Sequence, residues 1–202
     1  MKKVERIVVG AYQTNCYLLW NDGHVMIVDP GAKAERIIQR IDEQNGIVDA
    51  IFVTHGHHDH IGAIDECVKR YNCPVYIHEV EAEVLSNPQY NLSYKSKDII
   101  VKTKPKLIEF SEMNIGAFKV SFMDAPGHSE GCAMMFWDEY LFAGDVLFKQ
   151  SIGRTDLYRG SNSKMMNTLN EIKKLTQDYI LCPGHGDTTT LIEEFKSNPF
   201  LN

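Results

Sequence analysis

Seven consecutive residues, Thr54-His55-Gly56-His57-His58-Asp59-His60, include five His or Asp side chains, the types that hold transition metals through imidazole nitrogen and carboxylate oxygen. They follow directly on the apolar run Ala50-Ile51-Phe52-Val53, which reads as a buried strand. On a strand running into a loop, side chains two apart point the same way, so His55 and His57 can grip one ion. A helix beginning near Asp59 would send Asp59 and His60 out of its first turn in adjacent directions, toward a second ion beside the first. His58 falls between the two pairs and is the odd one out. A solvated His-rich loop or an affinity tag is the bland alternative, but a tag sits at a terminus and does not follow a buried strand.

Three more polar residues stand where an apolar strand gives way to a glycine-containing turn. His128 follows Met123-Asp124-Ala125-Pro126-Gly127, Asp145 follows Leu141-Phe142-Ala143-Gly144, and His185 follows Ile180-Leu181-Cys182-Pro183-Gly184. Glycine beside a ligand lets backbone approach a metal cluster closely, and the strand end fixes where the side chain points. Counting donors, His55, His57 and His128 offer three nitrogens to one ion, Asp59, His60 and His185 offer a mixed set to another, and Asp145 is left to bridge them. Asp29, at the end of an earlier strand and ahead of Pro30-Gly31, is well placed to enter such a site from the rim of a sheet. Taken alone it reads as a turn or helix-cap aspartate.

The elements that must position these groups alternate between strands and helices. Val4 to Val9, Cys16 to Trp20 and His24 to Val28 read as strands, the last two joined by the turn Asn21-Asp22-Gly23. Ala34, Ile37, Ile38 and Ile41 recur at helical spacing and predict an amphipathic helix over 33–44; Ile61, Ile64, Cys67, Val68 and Tyr71 predict a second. Pro74 to Ile77 reads as another strand. Residues 85–106 turn polar and read as a long surface excursion with short helical or strand pieces, able to cover a cleft. Four strand-like segments follow, Leu107 to Phe110, Phe118 to Met123, Cys132 to Trp137 and Tyr140 to Ala143, with a turn at Asn114 to Gly116. Ser163 reads as the cap of a helix whose apolar face is Met165, Leu169, Ile172 and Leu175; Tyr179 to Cys182 reads as a last strand, and Leu191, Ile192 and Phe195 as the lining of a closing helix.

A length of 202 residues suits one domain, over 1–202, with a substantial core. Hydrophobic residues make up 44% and charged residues 24% of the chain, values that exclude disorder. The net charge of -6 with no basic run argues against nucleic acid as partner. No apolar run approaches a membrane span, the amino terminus lacks a signal-peptide core, and the five scattered cysteines read as buried thiols of a cytoplasmic protein. The expected partner is a small-molecule substrate.

Together, Asp29, the His55–His60 run, His128, Asp145 and His185 resemble, in order, the five sequence motifs of the metallo-β-lactamase superfamily, across nearly the whole chain. The resemblance implies an α/β fold, a four-layer αββα sandwich of two mixed sheets flanked by helices, with the metal site at one edge of the sheets. It implies the same seven ligands and has Asp29 hold the His-rich loop from behind. Within the superfamily, Thr14-Asn15-Cys16-Tyr17-Leu18, Ala143 to Phe148 and Pro183-Gly184-His185-Gly186 resemble the glyoxalase II-related hydrolases, and Ser151 to Asp156 is similar to their short single-domain branch. The chain ends where full-length glyoxalase II enzymes begin their helical glutathione-binding domain, and Ser129-Glu130 stands where the family often has Thr-Pro.

The expectation that follows is a hydrolase with two divalent metal ions, zinc first and iron or manganese as alternatives, acting on an S-2-hydroxyacyl thioester. Asp59 doubles as the group that orients the attacking hydroxide and takes its proton. Arg154, with Lys149 or Arg159, is the candidate for meeting an anionic part of the substrate. A mononuclear iron persulfide dioxygenase and a lactonase or β-lactam hydrolase are the competing readings.

Overall fold

The computed structural model describes residues 2–202. Strands β1 (Lys2–Val9), β2 (Thr14–Asn21), β3 (His24–Val28), β4 (Ile47–Phe52), β5 (Val75–Ile77) and β6 (Lys106–Leu107) lie side by side in that order in one six-stranded sheet. Its first three strands are antiparallel and the rest parallel to β3. The second sheet runs β14-β13-β10-β9-β8-β7, from β7 (Glu112–Ile115), β8 (Phe118–Asp124), β9 (Ala133–Trp137), β10 (Tyr140–Gly144), β13 (Ile180–Pro183) and β14 (Thr189–Thr190), with β10 and β13 its one parallel pair. A short hairpin, β11 (Leu147–Phe148) and β12 (Ser151–Ile152), stands apart.

Period-two alternation in buried strands builds the layers. In β2, Cys16, Leu18 and Trp20 face one way, onto Ile37 and Ile41 of helix α1 (Ala34–Asp42) and Ile64 and Cys67 of α3 (Ile64–Tyr71). Tyr17 and Leu19 face the other way and meet Met135, Trp137 and Phe142 of the second sheet. The outer face of that sheet, through Met134, Leu141 and Leu181, packs on α4 (Asn162–Ile172) and α5 (Leu191–Ser197). Helices thus cover both outer faces of a sheet pair, the four-layer αββα arrangement that the motifs imply.

The structure corrects several local readings. The helix after the His cluster is two pieces, α2 (His58–Ile61) and α3, because Gly62 abuts the carbonyl of Gly31 and Ala63 N donates to Pro30 O (2.9 Å). That tertiary contact outranks the continuous apolar spacing. Ser161, not Ser163, caps α4 and accepts from Lys164 N (3.3 Å), and α4 ends at Ile172, with Leu175 lying beyond it. Residues 112–115 form strand β7 where a turn at Asn114 is the expectation; the turn itself is Gly116-Ala117, between Ile115 and Phe118. The segment expected as Leu107 to Phe110 is only Lys106–Leu107 and belongs to the first sheet. Ile192 is 43% exposed, and buried Glu194 takes its place on the inner face of α5, accepting from Gln150 N, Thr189 Oγ1 and Asn198 Nδ2.

Phe142 sits between the two sheets, 1% exposed and edge-on to Tyr17 at 5.5 Å. Truncating it leaves a cavity that neither sheet can close. Phe142→Ala is therefore expected to cost about 3–5 kcal/mol, read as a lower urea midpoint at unchanged m-value.

Candidate metal centre

Every candidate ligand leaves a strand end, the turn after one or the short helix α2 that follows β4, all at the same edge of the sandwich. β4 runs into Thr54 and His55, β10 into Asp145, β13 into His185, and the loop after β8 carries His128. The two sheets are sewn together at this edge. Thr14 forms a bridge with His185, Asn15 N donates to Gly184 O (2.7 Å), Tyr17 Oη donates to Pro183 O (2.8 Å), and Ala133 N donates to Thr54 O (3.0 Å).

The side chains meet in three overlapping groups, each with donor atoms within 4.8 Å of one another: His55, His57 and His128; Asp59, His60 and His185; and, between them, His55, His60 and Asp145. The first two groups reproduce the two sets counted from the sequence. Asp145 reaches toward both, with Oδ2 3.5 Å from His128 Nε2 and 3.4 Å from His185 Nε2, and Oδ1 3.4 Å from His60 Nε2. Gly184 makes this approach feasible, since a Cβ there would run into the Asp145 carboxylate.

Four of the five imidazoles are aimed from behind. His128 Nδ1 donates to Arg154 O (2.7 Å) and His185 Nδ1 to Tyr12 O (3.0 Å); a carbonyl only accepts, so these nitrogens carry a proton and each Nε2 points inward, as a lone pair wherever the ring is neutral. His60 Nδ1 donates to Asp29 Oδ2 (2.9 Å), and the same carboxylate accepts from Thr54 N (2.8 Å) and Thr54 Oγ1 (2.7 Å). With its own proton given to Asp29, Thr54 Oγ1 accepts from His55 Nδ1 (3.1 Å). Asp29, at φ +51°, thus holds the His-rich loop from behind through one backbone and two side-chain contacts. His57 differs: its Nδ1 faces His128 Nε2 at 2.9 Å, two nitrogens converging on one point.

Among the described residues, the buried side-chain atoms without a hydrogen-bond partner include His55 Nε2, His60 Nε2 and Asp145 Oδ1. A buried polar atom left unpaired costs about 1–3 kcal/mol, so three such atoms facing one another form an arrangement that a cation would relieve. The protonation chemistry agrees. Burial and the neighbouring imidazoles push His55 far below its ordinary value and His57 down to about 3, so both are neutral lone-pair donors. Burial opposes ionisation of Asp59 and Asp145, but the charges of His60 and His185 outweigh it and hold both carboxyls below their usual range. Neutral imidazole and ionised carboxylate are the forms that bind a divalent metal.

The groups open into a cleft of about 290 Å³ whose walls include Tyr12, His58, Leu92, Ser96, Arg154 and Leu157. Leu92 and Ser96 come from the 85–106 excursion, which therefore forms one wall. It is held by Asn91, whose carbonyl accepts from His58 N (2.9 Å), and by Asp65, which accepts from Lys102 N and Thr103 N. His58 packs edge-on to Tyr12 at 5.1 Å. The Arg154 guanidinium is committed to a two-pronged pair with Asp156 (2.7 and 2.8 Å), while Lys149 lies 3.9 Å from Asp187 and does not line the cleft. Arg159 sits over the stacked rings of Tyr90 and Tyr158 and pairs with Glu83 at 2.8 Å. Thr14, whose Oγ1 donates to Asp59 Oδ2 (3.0 Å), and Tyr12 are site residues that sequence reasoning missed, since neither type signals metal chemistry.

Burial disfavours charge on His60 and His185, yet Asp59 and Asp145 overcome it and push them up to about 9 and about 10. Both are therefore protonated at pH 7 in the metal-free protein. The stabilisation this supplies is complete below the unfolded value of about 6.5 and is lost as pH rises through 9 to 10. Metal taken up through these nitrogens must displace the protons. Calorimetric zinc titrations of metal-stripped protein in two buffers of different ionisation enthalpy should show proton release at pH 7, shrinking toward pH 10; buffer-independent heats at pH 7 would contradict it.

A sequence model of the "Metallo-beta-lactamase superfamily" matches residues 9–185. The chain is 38% identical to "Probable metallo-hydrolase YqgX" of Bacillus subtilis, over 99% of this chain and 98% of that one. It is 33% identical to "Hydroxyacylglutathione hydrolase GloC" of Haemophilus influenzae, over 98% of each. Among solved structures, that of "BLEG-1 B3 metallo-beta-lactamase" superposes with a TM-score of 0.95 at 37% identity, over 99% of this chain and 100% of that one. With its motifs, its layered sheets and its converging His and Asp groups, the chain belongs to the metallo-beta-lactamase superfamily.

Proposed function

We propose that this superfamily metallo-hydrolase holds two divalent metal ions and hydrolyses a thioester of the S-2-hydroxyacyl type. The observation that carries the two-ion reading is the pair of complete donor groups joined by Asp145. His55, His57 and His128 would hold one ion, Asp59, His60 and His185 the other, with Asp145 between. The donor set of imidazole and carboxylate suits zinc, and also iron and manganese. Bound there, the metal supplies Lewis acidity and a water ionised near neutral pH.

The chain's own part is positioning and proton handling. Asp59, fixed by Thr14 Oγ1, presents a carboxylate beside the donor groups that can orient a water and accept its proton. Tyr12, Leu92 and Leu157 give the cleft an apolar wall against which an acyl chain can lie, and about 290 Å³ suits a small acyl group rather than a polymer. A cysteine nucleophile has no place here. All five thiols are buried, and burial raises every one of them, Cys73 to about 11 and Cys67 and Cys182 to about 12, so none is a thiolate at neutral pH. The thioester reading is supported by the identity shared with GloC, and β-lactam hydrolysis, by the likeness to BLEG-1, is the reading it must beat.

His57→Ala should abolish turnover and lower the metal content per chain by elemental analysis, with an unchanged circular dichroism spectrum; full activity in the metal-stripped variant would refute the mechanism. Asp145→Ala should deplete both ions, and loss of one alone would refute the bridge. The substrate is decided by assaying hydroxyacyl thioesters, lactones, a β-lactam and a persulfide on enzyme of known metal content. Thioester turnover at least about tenfold above the others is expected, a margin of about 1.4 kcal/mol. Persulfide-dependent oxygen uptake with one iron per chain would overturn the proposal.

A further inference from the structure

Glu81 is a buried carboxylate with no metal-facing role. It closes the single-turn helix Glu79–Glu81 after β5, and it is 2% exposed. Its Oε2 accepts from Gly56 N (2.8 Å), and its Oε1 accepts from Ser129 Oγ (2.7 Å) and Gly131 N (3.0 Å), all in the buried interior. Gly56 lies between His55 and His57, and Ser129 is the neighbour of His128. One carboxylate therefore grips, with one oxygen each, the two separate loops that supply the three-imidazole group. No contact runs from it to Asp59, His60 or His185 among the described residues.

Two physical consequences follow. The spacing of the loops, seen in the 2.9 Å approach of His57 Nδ1 to His128 Nε2, depends on a rigid acceptor that satisfies donors on both sides at once. Among the described residues the partners of Glu81 are three neutral donors and no lysine or arginine. A buried anion without a counter-charge is costly to keep. The adjoining group, reached through Gly56 and Ser129, has three imidazoles that bring no negative charge of their own, so a cation held there would offset the carboxylate.

We infer that Glu81 is a positioning residue for the His55, His57 and His128 group, fixing the separation of its two loops and selectively raising that group's affinity for a cation. This rests on the two-ion reading above. Glu81→Gln keeps the shape but turns an amide NH2 toward donors that have lost their acceptor, and Ser129→Ala removes one donor while leaving the carboxylate in place.

The test is zinc titration of metal-stripped full-length protein, for the wild type, Glu81→Gln and Ser129→Ala. His57→Ala and His185→Ala serve as references that identify which binding step belongs to which group. Glu81→Gln should weaken the step that His57→Ala removes by about 10- to 100-fold and leave the step that His185→Ala removes unchanged; Ser129→Ala should weaken the same step by less. Cobalt substituted into Glu81→Gln should show altered visible bands at that step only. Equal weakening of both steps, or none, in folded Glu81→Gln overturns the inference while wild-type protein still takes two ions. If Glu81→Gln does not fold, the Ser129→Ala titration decides by the same criterion. A wild type binding fewer than two ions would instead overturn the two-ion reading, and the inference with it.

Discussion

The constraint on which this molecule turns is that several lone pairs must be buried side by side while each imbalance is settled from outside. Imidazole has two nitrogens, and for His55, His60, His128 and His185 one is committed to an acceptor behind the ring so that the other faces the centre in a fixed direction. Those acceptors are a hydroxyl, a carboxylate and two backbone carbonyls, from four different parts of the chain. The sheets, the sewn edge and the cleft wall can be understood as the means of holding those acceptors still.

This explains why the central strands of the first sheet are buried on both faces and why their ends converge. A parallel strand with helices on one side and a second sheet on the other delivers its terminal residue to a place defined by two cores at once. β4 delivers Thr54 and His55 in this way, and Asp29, at the end of neighbouring β3, meets Thr54 across the strand gap. The left-handed backbone at Asp29 turns its carboxylate back toward that neighbour. Strain of this kind persists only where surrounding contacts over-determine it.

The seven candidate ligands were legible because His and Asp at strand ends are chemically conspicuous, and because the order of motifs is itself informative. Of the groups behind them, Asp29 was legible from the same ordered motifs, and the others were not. Tyr12 and Arg154 act through their carbonyls, which every residue possesses, and Glu81 looks like any other glutamate in a polar stretch. The amphipathic helices were readable from periodicity, but the break at Gly62-Ala63 depends on a loop some thirty positions away, beyond the reach of any local pattern. Short edge strands such as β7 and β14 are missed for a related reason: with two to four residues their alternation carries little signal, and pairing with a neighbour is what makes them strands.

The bridge between Thr14 and His185 also orders events during synthesis on the ribosome. A nascent chain releases its amino end first, so His55, His57 and His128 are all outside the exit tunnel before His185 has been joined to the chain. All three members of that group are thus in the chain while the other group still lacks His185. Closure waits until β13 docks beside β10 and brings residue 185 onto the second strand. Chain order therefore places completion of the second group last, at the contact between residues near the two ends of the chain.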